Sequence, residues 1–307
     1  MSYEERANLL WFLVPISCSL QPVGRGQHLT EAQCEALSLE RGYFFMRAAP
    51  MRLQAARPVR VGDRLLGGPS VLVCVPLLAP TRGMLIEQAS RLGAMRPDCI
   101  EWRADYLEGL TAGDVSGLLR EVADAAGCPL LFTNRLHSEG GRAVQDEARR
   151  ASILEAAGST GVPAMLDVEM ATPPPLAGGV IRAARAAGVA IVRSWHDFST
   201  TPSRQMLLGT LRALQADADV VKVAVTPGTP DDVLVLLDAG LGARRMFLET
   251  PAILMAMGPL GAVSRLGGYF GSDLTFAVGL EASAPGQMSL DLVRAALAAL
   301  GLDGVPR

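Results

Sequence analysis

A single lysine is the first residue of this chain that could do chemistry. The 307 residues include 28 lysines and arginines, of which 27 are arginines (28 − 1), so Lys222 carries the one side-chain amine. It lies in the apolar, β-branched run 219–225, which predicts a strand buried on both faces. A desolvated lysine can lose its proton and attack a carbonyl, whereas arginine stays protonated. We expect a Schiff-base lysine, although biased base composition alone could also leave one lysine.

A histidine and a carboxylate could complete this chemistry. An imine acidifies the carbon beside the former carbonyl, so a base must accept that proton. His196 follows an apolar run, and an imidazole that titrates at roughly pH 6.5 can act as base and then as acid. Glu169 ends the preceding predicted strand. We expect its carboxylate to lie beside His196 or to pair with an arginine, and the two roles are compatible.

Further polar residues favour an anionic substrate. Arg135 and Arg265 could grip a carboxylate in bidentate fashion. Ser283 and Gln287 belong to a polar loop after the last predicted strand, although its Ser-Ala-Pro-Gly start is ordinary turn sequence. A Schiff-base lysine, a histidine and carboxylate-binding arginines support either elimination of a β-leaving group or retro-aldol cleavage. The spacing of the residues does not choose between these reactions.

The elements that must position these residues repeat from about residue 70 as strand followed by helix. The predicted strands are 71–75, 98–103, 129–133, 164–168, 189–193, 220–225, 252–256 and 274–279. Such alternation predicts a parallel sheet, and eight units in about 235 residues fit a closed (β/α)8 TIM barrel. A doubly wound open sheet is less favoured, because no strand is followed by a GxGxxG turn. In a barrel the candidate residues at the C-terminal strand ends would converge on one mouth.

The N-terminal 56 residues do not share this pattern. We treat 1–56 as a leader and 57–307 as the catalytic barrel, with a short hairpin in 57–70 that could plug the barrel bottom. The leader is either a small appended helical segment or the result of a start assigned upstream of Met51. We favour the second interpretation, because the leader lacks clear periodicity.

Composition excludes several classes of function. The net charge of −3 and the pI near 5.7 give no basis for nucleic-acid binding. No apolar stretch is long enough to span a bilayer, and the apolar run 9–20 lacks the basic flank of a signal peptide. The five cysteines show neither metal-ligand spacing nor a disulfide framework. We therefore expect a cytoplasmic protein without a metal.

Several short motifs occur one after another across about residues 57 to 300. They are Glu101-Trp-Arg-Ala-Asp105, Leu131-Phe-Thr-Asn-Arg135 with Glu139-Gly-Gly141, Leu166-Asp-Val-Glu169, Ser194-Trp-His-Asp-Phe198, Val221-Lys-Val-Ala-Val225, Met255-Ala-Met-Gly258, Gly261-Ala-Val-Ser-Arg265 and Ala282-Ser-Ala-Pro-Gly-Gln287. As a series they closely resemble the type I 3-dehydroquinate dehydratase family. Pro76 is a departure, since some members carry serine there.

The resemblance implies a (β/α)8 barrel, usually a homodimer, with neither a metal nor a bound cofactor. It implies dehydration of 3-dehydroquinate to 3-dehydroshikimate in the shikimate pathway. Lys222 would form the imine with the C3 ketone, and His196, partnered by Glu169, would remove the C2 proton and protonate the departing C1 hydroxyl. Arg265 and Gln287 would contact the substrate carboxylate, and the remaining polar contacts would come from Glu101, Arg103, Arg135 and Ser283. Another Schiff-base aldolase and a non-catalytic homologue are the alternatives.

Overall fold

The computed structural model describes residues 52–282 and 286–304. Residues 1–51, which include Met51, and the predicted site residue Ser283 lie outside the described residues. Within them, some residues that precede position 57 are buried. Arg52 is already buried and pairs with Asp273, and the Ala55 N–H donates to the Gly67 carbonyl at 2.8 Å.

The described residues form ten strands, a ring of helices and short 3₁₀ turns. The strands are β1 (Val59–Val61), β2 (Arg64–Leu66), β3 (Leu72–Leu77), β4 (Cys99–Arg103), β5 (Leu130–Thr133), β6 (Met165–Glu169), β7 (Ala190–His196), β8 (Val220–Val225), β9 (Ala252–Ala256) and β10 (Leu274–Phe276). The helices are α1 (Arg82–Ala94), α2 (Ala112–Ala126), α3 (Glu147–Ser159), α4 (Pro174–Ala186), α5 (Arg204–Gln215), α6 (Pro230–Met246) and α7 (Leu290–Ala299). The 3₁₀ segments are Ala104–Tyr106, His137–Glu139 and Leu260–Phe270.

Strands β3 to β10 form one parallel sheet that curls into a barrel. Its order is β10-β3-β4-β5-β6-β7-β8-β9, so each strand lies beside the next in the chain, as right-handed strand–helix units require. Between β9 and β10 the ring is joined by the Asp273 N–H, which donates to the Ala252 carbonyl at 2.6 Å. The predicted (β/α)8 barrel is confirmed, and so is the N-terminal hairpin, which is β1 paired antiparallel with β2.

Strand β8 shows how the sequence points its side chains. Val221, Val223 and Val225 pack outward against α5 and α6, while Val220 and Ala224 face the barrel interior. Because side chains alternate along a strand, Lys222 also faces inward. It is 4% exposed and stands above the apolar interior layer, at the level where the barrel opens. The hairpin closes the opposite end, since Val61 and Leu66 are fully buried in the interior cluster.

The helix starts follow local capping chemistry. Thr81, Asp146, Ser203 and Ser289 each accept a hydrogen bond from a backbone N–H in the first turn of the following helix. None of the described helices is long and apolar enough to cross a membrane.

One predicted helix starts later than expected. The spacing predicts helix over 141–157, whereas α3 begins at Glu147. The preceding residues form a loop that folds back on the end of β5. Gly141 comes so near that an added Cβ would lie 2.1 Å from the Arg135 carbonyl oxygen. This loop carries a residue of the site described next.

Candidate active site

Most of the candidate residues line one cavity at the C-terminal end of the barrel. Open to solvent at one side, it holds about 570 Å³ of space free of protein atoms. Its polar walls are Glu101, Arg103, Arg135, Glu139, His196, Lys222 and Gln287, and its apolar walls include Phe198, Met255, Met257 and Phe276. Glu169 and Arg265 are buried and do not line it.

Lys222 projects from β8 into a cage of carboxylates. Its Nζ lies 3.3 Å from Glu101 Oε1 and 3.2 Å from Asp167 Oδ2, and 4.9 Å from the centre of the Phe276 ring. Burying an ammonium without a partner costs several kcal/mol, and these groups remove that cost. The amine therefore stands at the cavity wall, held from below by two anions.

His196 ends β7 and faces the same cavity. Its Nδ1 lies 2.7 Å from Glu139 Oε2, and its backbone N–H donates to the same oxygen at 3.1 Å. This contact engages Nδ1 and leaves Nε2 for the cavity. Burial, followed by the positive charges of Arg135 and Lys222, holds the pKa of His196 well below its usual range. The imidazole is therefore neutral at physiological pH and can accept a proton.

The carboxyl group of Glu139 has a pKa near neutrality. Burial raises its pKa to about 7, and the negative charge of Glu169 acts in the same direction. The pKa shifts of Glu139 and His196 both favour uncharged forms, so near neutrality the pair exchanges between a protonated and an ionised carboxyl. The protonation of Glu139 thus controls how basic its imidazole partner is.

Glu169 pairs with two arginines, which is one of the two roles predicted for it. Its Oε1 accepts from Arg135 Nη1 at 2.9 Å, and its Oε2 accepts from Arg150 Nη1 at 2.6 Å. The strand register accounts for this arrangement. Glu169 is the last residue of β6 and pairs with Ser194, so His196 stands one layer above it. The loop after β5 reaches that layer and brings Glu139, not Glu169, to the imidazole.

Arg135 is engaged by protein groups below the cavity. Its Nη2 donates to Asp167 at 2.6 Å, and its Nη1 donates to Glu169 at 2.9 Å and to Ser194 Oγ at 3.0 Å. Burial lowers the pKa of Arg135, but Asp167 and Glu169 outweigh it and raise the pKa above its usual value. The guanidinium is a fixed cation that joins strands β5, β6 and β7 beneath the histidine.

Arg103 and Arg265 flank the cavity differently. Arg103 makes a bidentate pair with Asp105, at 2.8 and 2.7 Å, and its guanidinium lies 5.2 Å from the centre of the Tyr106 ring. Arg265 donates to the Gly286 carbonyl at 3.0 Å, and burial lowers its pKa to about 10. Both remain charged and suit an anionic or hydroxylated ligand.

Two residues of the site were missed by sequence reasoning, and both had a signal. Glu139 belongs to the Glu-Gly-Gly triplet among the motifs, whose glycines permit the close loop that carries it. Asp167 precedes Glu169 by two residues, so alternation alone places both carboxylates on the same face of β6. Within residues 52–282 and 286–304, no group of three or more histidine, cysteine, aspartate or glutamate side chains is arranged to hold a metal ion.

The fold and the site define a (β/α)8-barrel protein with a buried amine facing an imidazole. The profile of the family "Type I 3-dehydroquinase" matches residues 73–303, and the chain belongs to this family. It is 38% identical over 246 residues to the 3-dehydroquinate dehydratase of Bacillus velezensis, covering 79% of this chain and 97% of the relative.

Solved structures agree with this assignment. The crystal structure of 3-dehydroquinate dehydratase from Geobacillus kaustophilus superposes with a TM-score of 0.78 at 37% identity, over 81% of this chain and 98% of that one. The type I enzyme from Clostridium difficile, solved with covalently modified comenic acid, gives 0.76 at 32% identity, over 80% and 98%.

Proposed function

We propose that this protein is a hydro-lyase that converts 3-dehydroquinate to 3-dehydroshikimate through an imine on Lys222. Family membership supports the reaction. One structural observation carries the proposal for the site: the side-chain amine of Lys222 and the imidazole of His196 face one cavity, and each is held by a buried carboxylate. This arrangement supplies a carbonyl nucleophile and a proton carrier within reach of one small molecule.

The proposed reaction begins when the Lys222 ammonium gives up one proton, which passes to the ketone oxygen, and its nitrogen attacks C3 to form a carbinolamine. Loss of water from the carbinolamine gives an iminium, which draws electrons from the neighbouring C2–H bond. His196 Nε2 accepts the C2 proton, and the resulting enamine expels the C1 hydroxyl, which takes that proton and leaves as water. Hydrolysis of the conjugated iminium then releases the enone and restores the amine.

The carboxylates would divide two tasks. Glu139 positions the imidazole and adjusts its basicity through the 2.7 Å contact at Nδ1. Glu169 acts at one remove, because it fixes Arg135 and Arg150 rather than touching the histidine. We therefore assign Glu139 the partner role that the sequence suggested for Glu169, and we assign Glu169 a positioning role.

Arginines would select an anionic substrate. We propose that Arg265 and Gln287 contact the substrate carboxylate. Glu101, Arg103, Arg135 and Ser283 would make the remaining polar contacts to the ring hydroxyls. Arg265 does not itself line the cavity, but it donates to the carbonyl of Gly286, whose neighbour Gln287 does, and this proximity supports the assignment.

The reaction is tested by the product it forms. Purified protein mixed with 3-dehydroquinate should generate the ultraviolet absorbance of a conjugated enone, and Lys222→Arg should generate none while remaining folded. A retro-aldol enzyme would break a carbon–carbon bond and yield two fragments, which mass spectrometry of the products would reveal. Fragments, or an unchanged substrate with folded wild-type protein, would contradict the proposal.

We further propose a cytoplasmic homodimer whose only partner in catalysis is its small-molecule substrate, without nucleic acid or membrane. The lack of any basic cluster or disulfide spacing in the sequence supports this setting. Light scattering on the purified full chain measures the oligomeric state, and a mass of one chain at working concentration would contradict the dimer.

A further inference from the structure

Asp167 is a fully buried carboxylate to which the proposed reaction assigns no step. Its Oδ2 lies 3.2 Å from Lys222 Nζ and accepts from Arg135 Nη2 at 2.6 Å. Its Oδ1 accepts from the Ser194 hydroxyl and from Arg135 Nη1 at 3.3 Å. Asp167 does not line the cavity, so a bound substrate would meet the amine but not the carboxylate beneath it.

The contact between Asp167 and Lys222 crosses an intervening strand. Asp167 is on β6 and Lys222 on β8, and β7 lies between them. Ser194 of β7 sits in register with Lys222, and its small side chain leaves the path open. The serine hydroxyl also fixes one oxygen of the carboxylate, which aims the other oxygen at the amine. Arg135, which follows β5, and Ser194 of β7 therefore fix the Asp167 carboxylate in contact with the Lys222 nitrogen of β8.

The negative charge of Asp167 is permanent at neutral pH. Burial raises the pKa of this carboxyl, but Arg135 and Lys222 outweigh burial and hold the pKa below its usual range. Three other charged or titratable groups lie near the amine. Glu101 contacts it directly, and Arg135 and His196, which lie 3.5 Å from each other, are the other two. Glu101 lines the cavity and is available to substrate, whereas Asp167 does not line it and contacts only protein groups, among them the Lys222 nitrogen.

We propose that Asp167 is the fixed counter-ion of the Lys222 nitrogen, pairing with the ammonium in the resting protein and with the iminium during turnover. The second half of this statement rests on the proposed function. Imine formation converts R–NH₃⁺ and a ketone into R–NH⁺=C and water, so the nitrogen bears one positive charge on both sides. One immobile anion therefore serves both states without moving, as a preorganised site requires.

The lone lysine makes the resting half of the proposal directly measurable. Cyanate reacts with a neutral amine: the nitrogen bonds to the cyanate carbon, and a urea forms after proton transfer. The only other amine is the N-terminus, which serves as an internal reference in the same peptide map. In Asp167→Asn, we expect labelling of Lys222 at pH 7 to rise about tenfold or more relative to the N-terminus, because the ammonium loses the nearer of its two anions.

A matched control separates charge pairing from a loosened site. Asp105→Asn also removes a buried carboxylate that binds an arginine, but Asp105 does not touch Lys222. Its labelling ratio should equal that of the wild-type protein. An unchanged ratio in folded Asp167→Asn, or an equal rise in both variants, would overturn the proposal.

Turnover supplies a second readout that moves in the opposite direction. At a fixed, subsaturating concentration of 3-dehydroquinate at pH 8, borohydride should trap several-fold less adduct on Asp167→Asn, because its iminium lacks the counter-ion. A structural loosening would move labelling and trapping together. If the wild-type protein forms no adduct, the proposed function fails, while the cyanate ratio still decides the resting ion pair.

A measurement on the wild-type protein covers the case in which Asp167→Asn does not fold. Incorporation of lysine labelled with ¹⁵N at Nζ gives one side-chain signal, because the chain has one lysine. At neutral pH we expect an ammonium signal with protons that exchange slowly, as a buried donor to two carboxylates should show. The signal of a neutral amine would overturn the proposal.

Discussion

The two ends of the barrel both bury charge, but they do so with different balances. The mouth cluster, formed by Glu101, Arg135, Arg150, Asp167, Glu169 and Lys222, sets three carboxylates among three cations. The bottom cluster, formed by Arg52, Arg244 and Asp273, sets two arginines on one carboxylate. There other donors go to backbone carbonyls, such as Arg244 Nη1 to Thr250 at 2.8 Å, while the buried Nε atoms of Arg52 and Arg244 have no hydrogen-bond partner among the described residues.

The pKa values of the arginines report this difference. At the bottom, burial lowers the pKa of Arg52 and of Arg244 to about 10, because one shared aspartate does not offset desolvation. At the mouth, burial also lowers the pKa of Arg135, but Asp167 and Glu169 reverse the effect. The bottom cluster stops at the protein interior, whereas the mouth cluster ends at a cavity.

Buried charge alone does not mark a reactive site. The bottom cluster ties the segment before the hairpin to the end of the sheet, and its groups meet only protein atoms. The mouth cluster leaves one face of Lys222 and of His196 toward open space. The mouth cluster has one carboxylate for each cation and one cation that faces a cavity, and these two features separate it from the bottom cluster.

The largest expected effect comes from Lys222→Arg. The guanidinium keeps the positive charge between Glu101 and Asp167 but cannot supply a neutral nitrogen. We expect kcat to fall by on the order of 10⁴-fold or more, the scale seen when a nucleophile is removed, with the melting temperature little changed. A steady-state assay with thermal denaturation of the same sample measures both quantities. Residual activity within tenfold of wild type would contradict the imine.

Glu139→Gln tests the corrected partner of the histidine. Because burial raises the pKa of Glu139 to about 7, its carboxylate forms as the pH rises through 7 and then makes His196 more basic. We expect kcat/KM of the wild-type protein to increase through this range, and the variant to lose that limb with a drop of about 10²-fold. The pH profile of Glu169→Gln should keep the limb. Loss of the limb in Glu169→Gln instead would restore the sequence-based assignment.

Much of the fold follows from the sequence for a simple reason. Fully buried parallel strands are nearly continuous apolar runs, so the predicted strands 220–225 and 252–256 match β8 and β9 residue for residue. The late start of α3 was missed, because the helical spacing in 141–157 does not show that residues 141–146 belong to the loop after β5. That loop contacts His196 only because the sheet brings β5 and β7 close together.

The sequence also predicted one part of the candidate site and not the other. Lys222, His196 and the arginines could be placed at the mouth, since strand ends converge in any such barrel. Which carboxylate touches which partner could not be placed, because this depends on how far each strand extends. β7 runs two residues beyond the end of β6. Because of that offset, His196 contacts Glu139, and Glu169 contacts the arginines.

Glu169→Gln should act mainly on stability. The substitution leaves Arg135 and Arg150 without their shared anion in a fully buried place. We expect a loss of about 3 kcal/mol in the free energy of unfolding, as for other broken buried pairs, together with a moderate fall in kcat as Arg135 shifts. Denaturant titration measures the loss. A stability equal to wild type would mean that the two arginines find other partners.

Asp273→Asn applies the same change to the bottom cluster. Arg52 and Arg244 lose their common carboxylate, and we expect a similar loss of about 2–3 kcal/mol. In contrast to the mouth variants, kcat of the folded fraction should equal that of wild type, because the barrel interior separates the cluster from the cavity. A changed pH profile in this variant would show that the two ends are coupled.

The smallest effect is expected at the surface. Arg57 and Glu249 pair at 3.2 Å with both side chains more than half exposed. Arg57→Ala should change the free energy of unfolding by no more than about 0.5 kcal/mol, since solvent and salt screen such pairs. Denaturant titration beside Asp273→Asn shows whether burial, rather than the presence of an ion pair, sets the size of the effect.

We propose above all that the one side-chain amine forms an imine with 3-dehydroquinate. The most direct measurement adds the substrate and borohydride to the full-length protein and determines the intact mass, followed by peptide mapping. The account predicts one reduced adduct per chain, located on Lys222, and none on Lys222→Arg. An adduct on the N-terminus alone, or full enone production by wild-type protein without any trapped adduct, would contradict it.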